Sequence, residues 1–310
     1  MLRLIALLLG LILFPSTASA AKLSWAPWTT PGAVTINVPV TGLDVVLPNT
    51  QDTILVMPNV PVTPKPGAGC IRVQGGRHLK LIGGECTIPP QGTPYDSKTR
   101  RCMSITAGAP GRLVHIEGFK CDGDVLDGIE MYSTDATFTL ENNRFEGITA
   151  RDEVNFTDGH PDGLYFGASS PPRTVRIDRV TVVSDYQAFF FGHPAGATYS
   201  VDMRNSNAVG TPIPGTHYAQ LLWRADPANL LKLTAFSLQP QTLNGVPEPL
   251  IKSVNPSDVD PNPAIRAFYS GANVVWPAAA NITGLVAPGN PDYCPAACAG
   301  LNYVSPGYIF

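Results

Sequence analysis

Residues 155–167 read NFTDGHPDGLYFG and bring His160, Asp162 and Tyr165 together around three glycines, in a chain with only 15% charged residues. An imidazole can take a proton near neutral pH and a phenol can return one. Abstracting a proton next to a carboxylate also needs a cation to hold that carboxylate. Arg101 or Arg224 would suit, because a guanidinium meets a planar carboxylate with two parallel bonds. Asp127 occupies the position equivalent to Asp162 one repeat earlier. Strands stacked about 4.8 Å apart would make the two carboxyl groups neighbours. Such a pair raises one pKa or attracts a cation such as Ca²⁺, and its spacing also suits retaining glycoside cleavage. The same residues fit a plainer role. Asp127, Asp162 and Gln187 can form a structural polar ladder at a chain corner, and His160 before Pro161 can stabilise a turn.

What positions these residues is a repeat. Short apolar strands at Ile71, Met103, Ile129, Leu164, Phe189 and Leu221 are each followed or preceded by a longer alternating one. The longer ones begin at Leu79, Val114, Phe138, Val175, Tyr199 and Leu231. Apolar and polar residues alternate with the period of a half-buried strand, and helical periodicity is nearly absent. One such unit cannot bury its apolar face alone, but a stack can. The expected fold is therefore an all-β solenoid of parallel strands. In its register Glu130, Tyr165, Phe190 and Leu222 share one outward column, and Arg101, Asp127, Asp162 and Gln187 share another. Arg151 lies on the inserted loop just upstream. Arg101, Glu130, Arg151, Gln187, Phe190 and Arg224 are the candidate substrate contacts, around His160, Asp162, Tyr165 and Asp127 as candidate catalytic groups.

The cysteines follow the repeat. Cys70 precedes Ile71 as Cys102 precedes Met103, and Cys86 and Cys121 are likewise equivalent. Stacked equivalents predict disulfides Cys70–Cys102 and Cys86–Cys121, or else a buried thiol stack, and Cys294–Cys298 would close a small tail loop.

The first twenty residues have Arg3, an apolar run from Leu4 to Phe14, and Ala18-Ser19-Ala20. That is the pattern of a cleaved export signal, and it predicts a secreted or periplasmic protein. A formal net charge of −3 supplies no basic field for nucleic acid and no polybasic membrane patch. No transmembrane segment is expected after signal cleavage, and a monomer is expected. The organisation reads as signal peptide 1–20, N-terminal cap 21–50, parallel β-helix 51–240, and an irregular last coil with a Pro-rich cap at 241–310.

The segments GGRHLKLIGGECTI, RLVHIEGFKCDG and DEVNFTDGHPDGLYF resemble the right-handed parallel β-helix superfamily that includes pectate lyases. More narrowly, they are similar to secreted bacterial β-helix proteins with a His-Pro-Asp turn. The resemblance covers roughly residues 50–240. It implies a single-stranded right-handed β-helix with capped ends and a sugar-binding groove on the sheet carrying the outward column. It also implies an acidic polysaccharide as partner, and a lyase or epimerase acting by proton abstraction. A non-catalytic glycan-binding or structural envelope protein and a glycoside hydrolase using the Asp pair are the alternatives. The paired base and Asp triplet of calcium pectate lyases are absent, as are the Asn-x-Asp and Gly-His-Gly motifs of polygalacturonases.

Overall fold

A computed structural model describes residues 22–90, 96–149, 161–167, 172–192, 199–211, 222–224, 230–239, 242–243, 246–247, 251–253, 274–275, 282–286 and 292–307. The 1–20 segment, His160 and Arg151 lie outside them.

The described chain is all-β, with two large sheets built almost wholly from parallel pairs. The eight-stranded sheet runs through Leu43–Leu47, Ile71–Gly75, Arg101–Thr106, Asp127–Tyr132, Asp162–Phe166, Gln187–Phe191, Leu222–Arg224 and Ile251–Ser253. The thirteen-stranded sheet starts with Val34–Asn37, Asp52–Val56, His78–Ile82 and Leu113–Glu117. It continues through Thr137–Ile148, Thr174–Ser184, Ser200–Arg204 and Leu230–Gln239. Successive strands alternate between the sheets, so each pass of the chain adds one strand to each. Pairing begins at Val34 and Leu43, within the segment expected to be a cap.

Each pass also bends. Gly83, Gly118, Asn142, Arg179, Asn205 and Ala235 all have positive φ and follow residues paired in register. Glycine takes this conformation freely, and asparagine tolerates it better than most residues. Beyond the bend a third column forms from Glu85–Ile88, Lys120–Gly123, Asn207–Gly210 and the second halves of the long strands. Asn143 secures the corner: its Oδ1 accepts the Phe119 N–H at 2.8 Å and its Nδ2 donates to the Ile116 carbonyl at 3.0 Å.

Inward side chains from all three columns make one continuous apolar core, including Ile71, Met103, Ile129, Leu164, Phe189, Leu140 and Phe145. The cysteine columns stack as expected, with Cys86 paired to Cys121 and the Cys70 N–H bonded to the Arg101 carbonyl. The disulfides nevertheless run within a pass: Cys70–Cys86 and Cys102–Cys121, each with Cα atoms 6.1 Å apart. The expected Cys70–Cys102 and Cys86–Cys121 bonds are thus corrected. In-register parallel strands hold their Cβ vectors side by side, whereas a disulfide needs them to converge to about 3.8 Å. Cysteines facing each other across the core meet that demand. Cys294–Cys298 closes the tail loop as expected, Cα to Cα 5.3 Å. Disulfides of this kind persist in oxidising compartments. Among the described residues no helix is long and apolar enough to cross a membrane.

Candidate functional site

The site is built from two register columns on the eight-stranded sheet. Arg101, Asp127, Asp162 and Gln187 pair in succession at the strand starts. Ser104, Glu130, Tyr165 and Phe190 pair three residues further along. Ile129 and Met131 enter the core, so strand alternation turns Glu130 to the other side. The Asp-Gly starts have a steric reason: a Cβ on Gly128 would lie 2.3 Å from the Gly163 carbonyl oxygen.

Register corrects one column by a residue. Trp223, not Leu222, continues Glu130, Tyr165 and Phe190. Arg224 therefore pairs with Phe191, whose column holds the buried Phe166 and Met131. Arg224 is thus not in the outward column where a substrate contact was expected. The cause is spacing: the connection between Phe191 and Leu222 leaves the strand phase undetermined by pattern alone.

Arg101 is the hub. Its Nε donates to Asp127 Oδ2 at 2.9 Å and its Nη1 lies 3.2 Å from Glu130 Oε2. Ser104 Oγ donates to the same Glu130 oxygen at 2.8 Å. The guanidinium is therefore engaged by two carboxylates of its own chain. Asp162, only 2% exposed, has an Oδ1 with no hydrogen-bond partner among the described residues. Fully buried Gln187 leaves both amide atoms without a partner among them.

These environments move the carboxyl groups upward. Burial pushes Asp127 to about 7, against the opposing pull of Arg101 and with a further push from Glu130. Burial raises Asp162 well above the ordinary carboxylate range, helped by the charges of Asp127 and Glu130. Both carboxyl groups are thus shifted toward their protonated forms, Asp127 against the pull of Arg101.

Aromatic rings line the adjoining column. Tyr165 stacks on Phe190 at 4.7 Å between centroids, and Tyr132 lies 5.5 Å from Tyr165 on the other side. The Tyr165 ring thus packs between neighbouring rings, and its phenol is the group expected to return a proton. Gly167 makes room for this, since a Cβ there would fall 1.8 Å from a Tyr132 ring carbon. Burial raises both phenols, and hydrogen bonding ties Tyr132 to Glu130 and Tyr165. Tyr132 was not among the candidate site residues. The signal was its phase, two residues after Glu130 on the same strand side.

Among the described residues no group of three or more His, Cys, Asp or Glu is arranged to hold a metal ion. Arg101 already occupies the Asp127 carboxylate, which counts against Ca²⁺ at the Asp127–Asp162 pair. Asp127, Asp162, Glu130, Arg101, Gln187, Tyr165 and Phe190 are brought together as the repeat implied. A scan against protein-family models, a search of curated proteins and a search of solved structures found no match to this chain.

Proposed function

We propose that this chain is an exported, carbohydrate-active protein of right-handed parallel β-helix architecture, with Asp127 and Asp162 carrying acid–base chemistry on a glycan. The observation that carries this reading is the adjacent carboxyl pair, in register on neighbouring strands, with Asp127 held by Arg101 and both groups shifted upward by burial. Glycoside cleavage needs one group to protonate the leaving oxygen and another to attack or activate the opposite face. Asp162 supplies the proton. The ionised fraction of Asp127, held by Arg101, supplies the carboxylate. Parallel strands about 4.8 Å apart approximate the roughly 5–5.5 Å carboxyl separation of retaining enzymes. The Tyr165 phenol, raised and so protonated, is a donor for a sugar hydroxyl. Export is supported by the leader-like first twenty residues and by three disulfides.

Charge favours a neutral glycan over a polyuronate. Asp127, Asp162 and Glu130 face one arginine, and that arginine is already shared between two of them. The lyase or epimerase reading ranks second. It draws on Asp127 as a base near pH 7 beside the protonated Tyr165 phenol, but it must find its carboxylate clamp elsewhere. Binding without turnover is the third reading.

The test incubates residues 21–310 with a panel of neutral glycans and polyuronates, reading new reducing ends and unsaturated-uronate absorbance separately. Reducing ends from a neutral glycan without that absorbance are expected. Asp162→Asn should then lower turnover by about 10²–10⁴-fold. Absorbance from a polyuronate would favour the lyase, and binding with no product from any glycan would leave a binder.

A further inference from the structure

A second carboxyl stack lies on the outer face of the thirteen-stranded sheet. Glu117, Glu141 and Asp178 pair in succession on adjacent strands, each just before the bend. None of the three is exposed. A strap of N-terminal residues crosses them. The Ser24 N–H donates to Glu141 Oε1, and the Ser24 hydroxyl donates to Asp178. Arg179 donates to the Lys22 carbonyl, and the Leu23 N–H donates to the Gly307 carbonyl at 2.8 Å, joining the strap to the C-terminal tail. Further along, the Arg204 guanidinium lies 4.6 Å from the Trp25 ring centroid, and Trp28 Nε1 donates to the Leu79 carbonyl at 3.0 Å. Trp25 and Trp28 therefore lie across the sheet rather than over the end of the core.

The three carboxyl groups differ in their partners. Glu117 has His115 Nε2 at 3.1 Å. Asp178 has Arg179 at 2.7 Å and the Asn205 amide at 2.9 Å. Among the described residues Glu141 accepts from the strap's N–H groups and its Oε2 has no partner. The charged groups nearest it are Asp178, Arg179 and Glu117. Beyond them Arg204 is paired with Asp202, and Tyr303 bonds Asn142.

We infer that the strap of residues 22–28 is a proton-dependent latch, closed over Glu141 when that carboxyl is protonated and released when it ionises. The strap's N–H groups sit directly on this buried carboxyl, so lifting the strap opens it to water, which favours the ionised form. Burial holds Glu141 at about 8 when covered, opposed by the strap's N–H groups. Uncovered, it moves toward the ordinary value of 4.5. Closing therefore takes up a proton between those limits. The closing constant falls by up to tenfold per pH unit across that window and levels off above about 8.

The test is amide hydrogen exchange at Ser24 and Trp25 in the full chain, corrected for intrinsic rate and compared with Leu140 in the core. Between about pH 5.5 and about pH 8, protection at Ser24 and Trp25 should fall at least tenfold while Leu140 holds. In Glu141→Gln the protection should not change with pH. A flat wild-type profile, an equal fall in Glu141→Gln, or a parallel fall at Leu140 would overturn the latch. Should Glu141→Gln fail to fold, the Glu141 carboxyl titration in Trp25→Ala serves instead. It should drop below the wild-type value, and an unchanged titration would overturn the latch.

Discussion

Two stacks of carboxyl groups cross consecutive strands of this molecule, one on each large sheet. Asp127 and Asp162, with Glu130 beside them, lie on the eight-stranded sheet. Glu117, Glu141 and Asp178 lie on the other. Both exist for the same reason: parallel in-register pairing sets equivalent residues of successive passes side by side. They differ in what reaches them. On the larger sheet a histidine, an arginine, an asparagine and the N-terminal strap supply donors from several directions. On the smaller sheet one arginine serves Asp127 and Glu130, and Asp162 has an oxygen with no partner among the described residues. Both stacks keep buried oxygens without a partner among the described residues, Asp162 Oδ1 on one and Glu117 Oε1 and Glu141 Oε2 on the other, and burial raises carboxyl groups in both. What sets the larger sheet's stack apart is the strap that donates to it.

The sharpest way to break this contrast is to remove one carboxyl from each stack. Asp162→Asn should lower turnover by about 10²–10⁴-fold, roughly 3–5 kcal/mol in the barrier. Glu117→Gln should leave turnover unchanged. Equal losses would erase the distinction between the stacks. Next in size is Arg101→Met, which strips Asp127 and Glu130 of their shared cation. Urea unfolding at neutral pH should show a loss of about 3 kcal/mol. Arg101 favours the ionised form of Asp127, so the loss should shrink as pH falls and Asp127 takes up its proton. A loss that does not depend on pH would mean that the arginine acts by packing alone. Slightly smaller is the joint change Cys102→Ser and Cys121→Ser, which opens a link of sequence separation 19. It should cost about 2–3 kcal/mol. Mass mapping of unreduced peptides tests the bend: Cys70 joined to Cys86 supports cysteines that face each other within one pass, and Cys70 joined to Cys102 contradicts it.

Much of this was legible because alternation and repetition are local. The Arg101–Asp127–Asp162–Gln187 column and both cysteine columns follow from aligning short strands by their apolar phase. Three features were not. The mid-strand bend is hidden because Gly83, Asn142, Arg179 and Ala235 share a positive φ but no residue type. Without that third side, the cysteines facing each other across a pass look remote and the stacked ones look like partners. The step from Leu222 to Trp223 depends on a long connection that carries no phase information. The Glu117–Glu141–Asp178 stack had a signal, a carboxylate at matching places in VHIE, FTLE and VRID. Its meaning, however, lies in the strap, which joins residues more than a hundred positions apart.

The most direct test of the acid–base pair needs no substrate. The carboxyl carbons of Asp127 and Asp162 can be followed by NMR through a pH titration of the intact protein. Asp162 should titrate well above the ordinary aspartate value and Asp127 at about 7. If both instead titrated near the ordinary aspartate value of 3.8, no proton donor would stand at this site and the proposed chemistry would be lost.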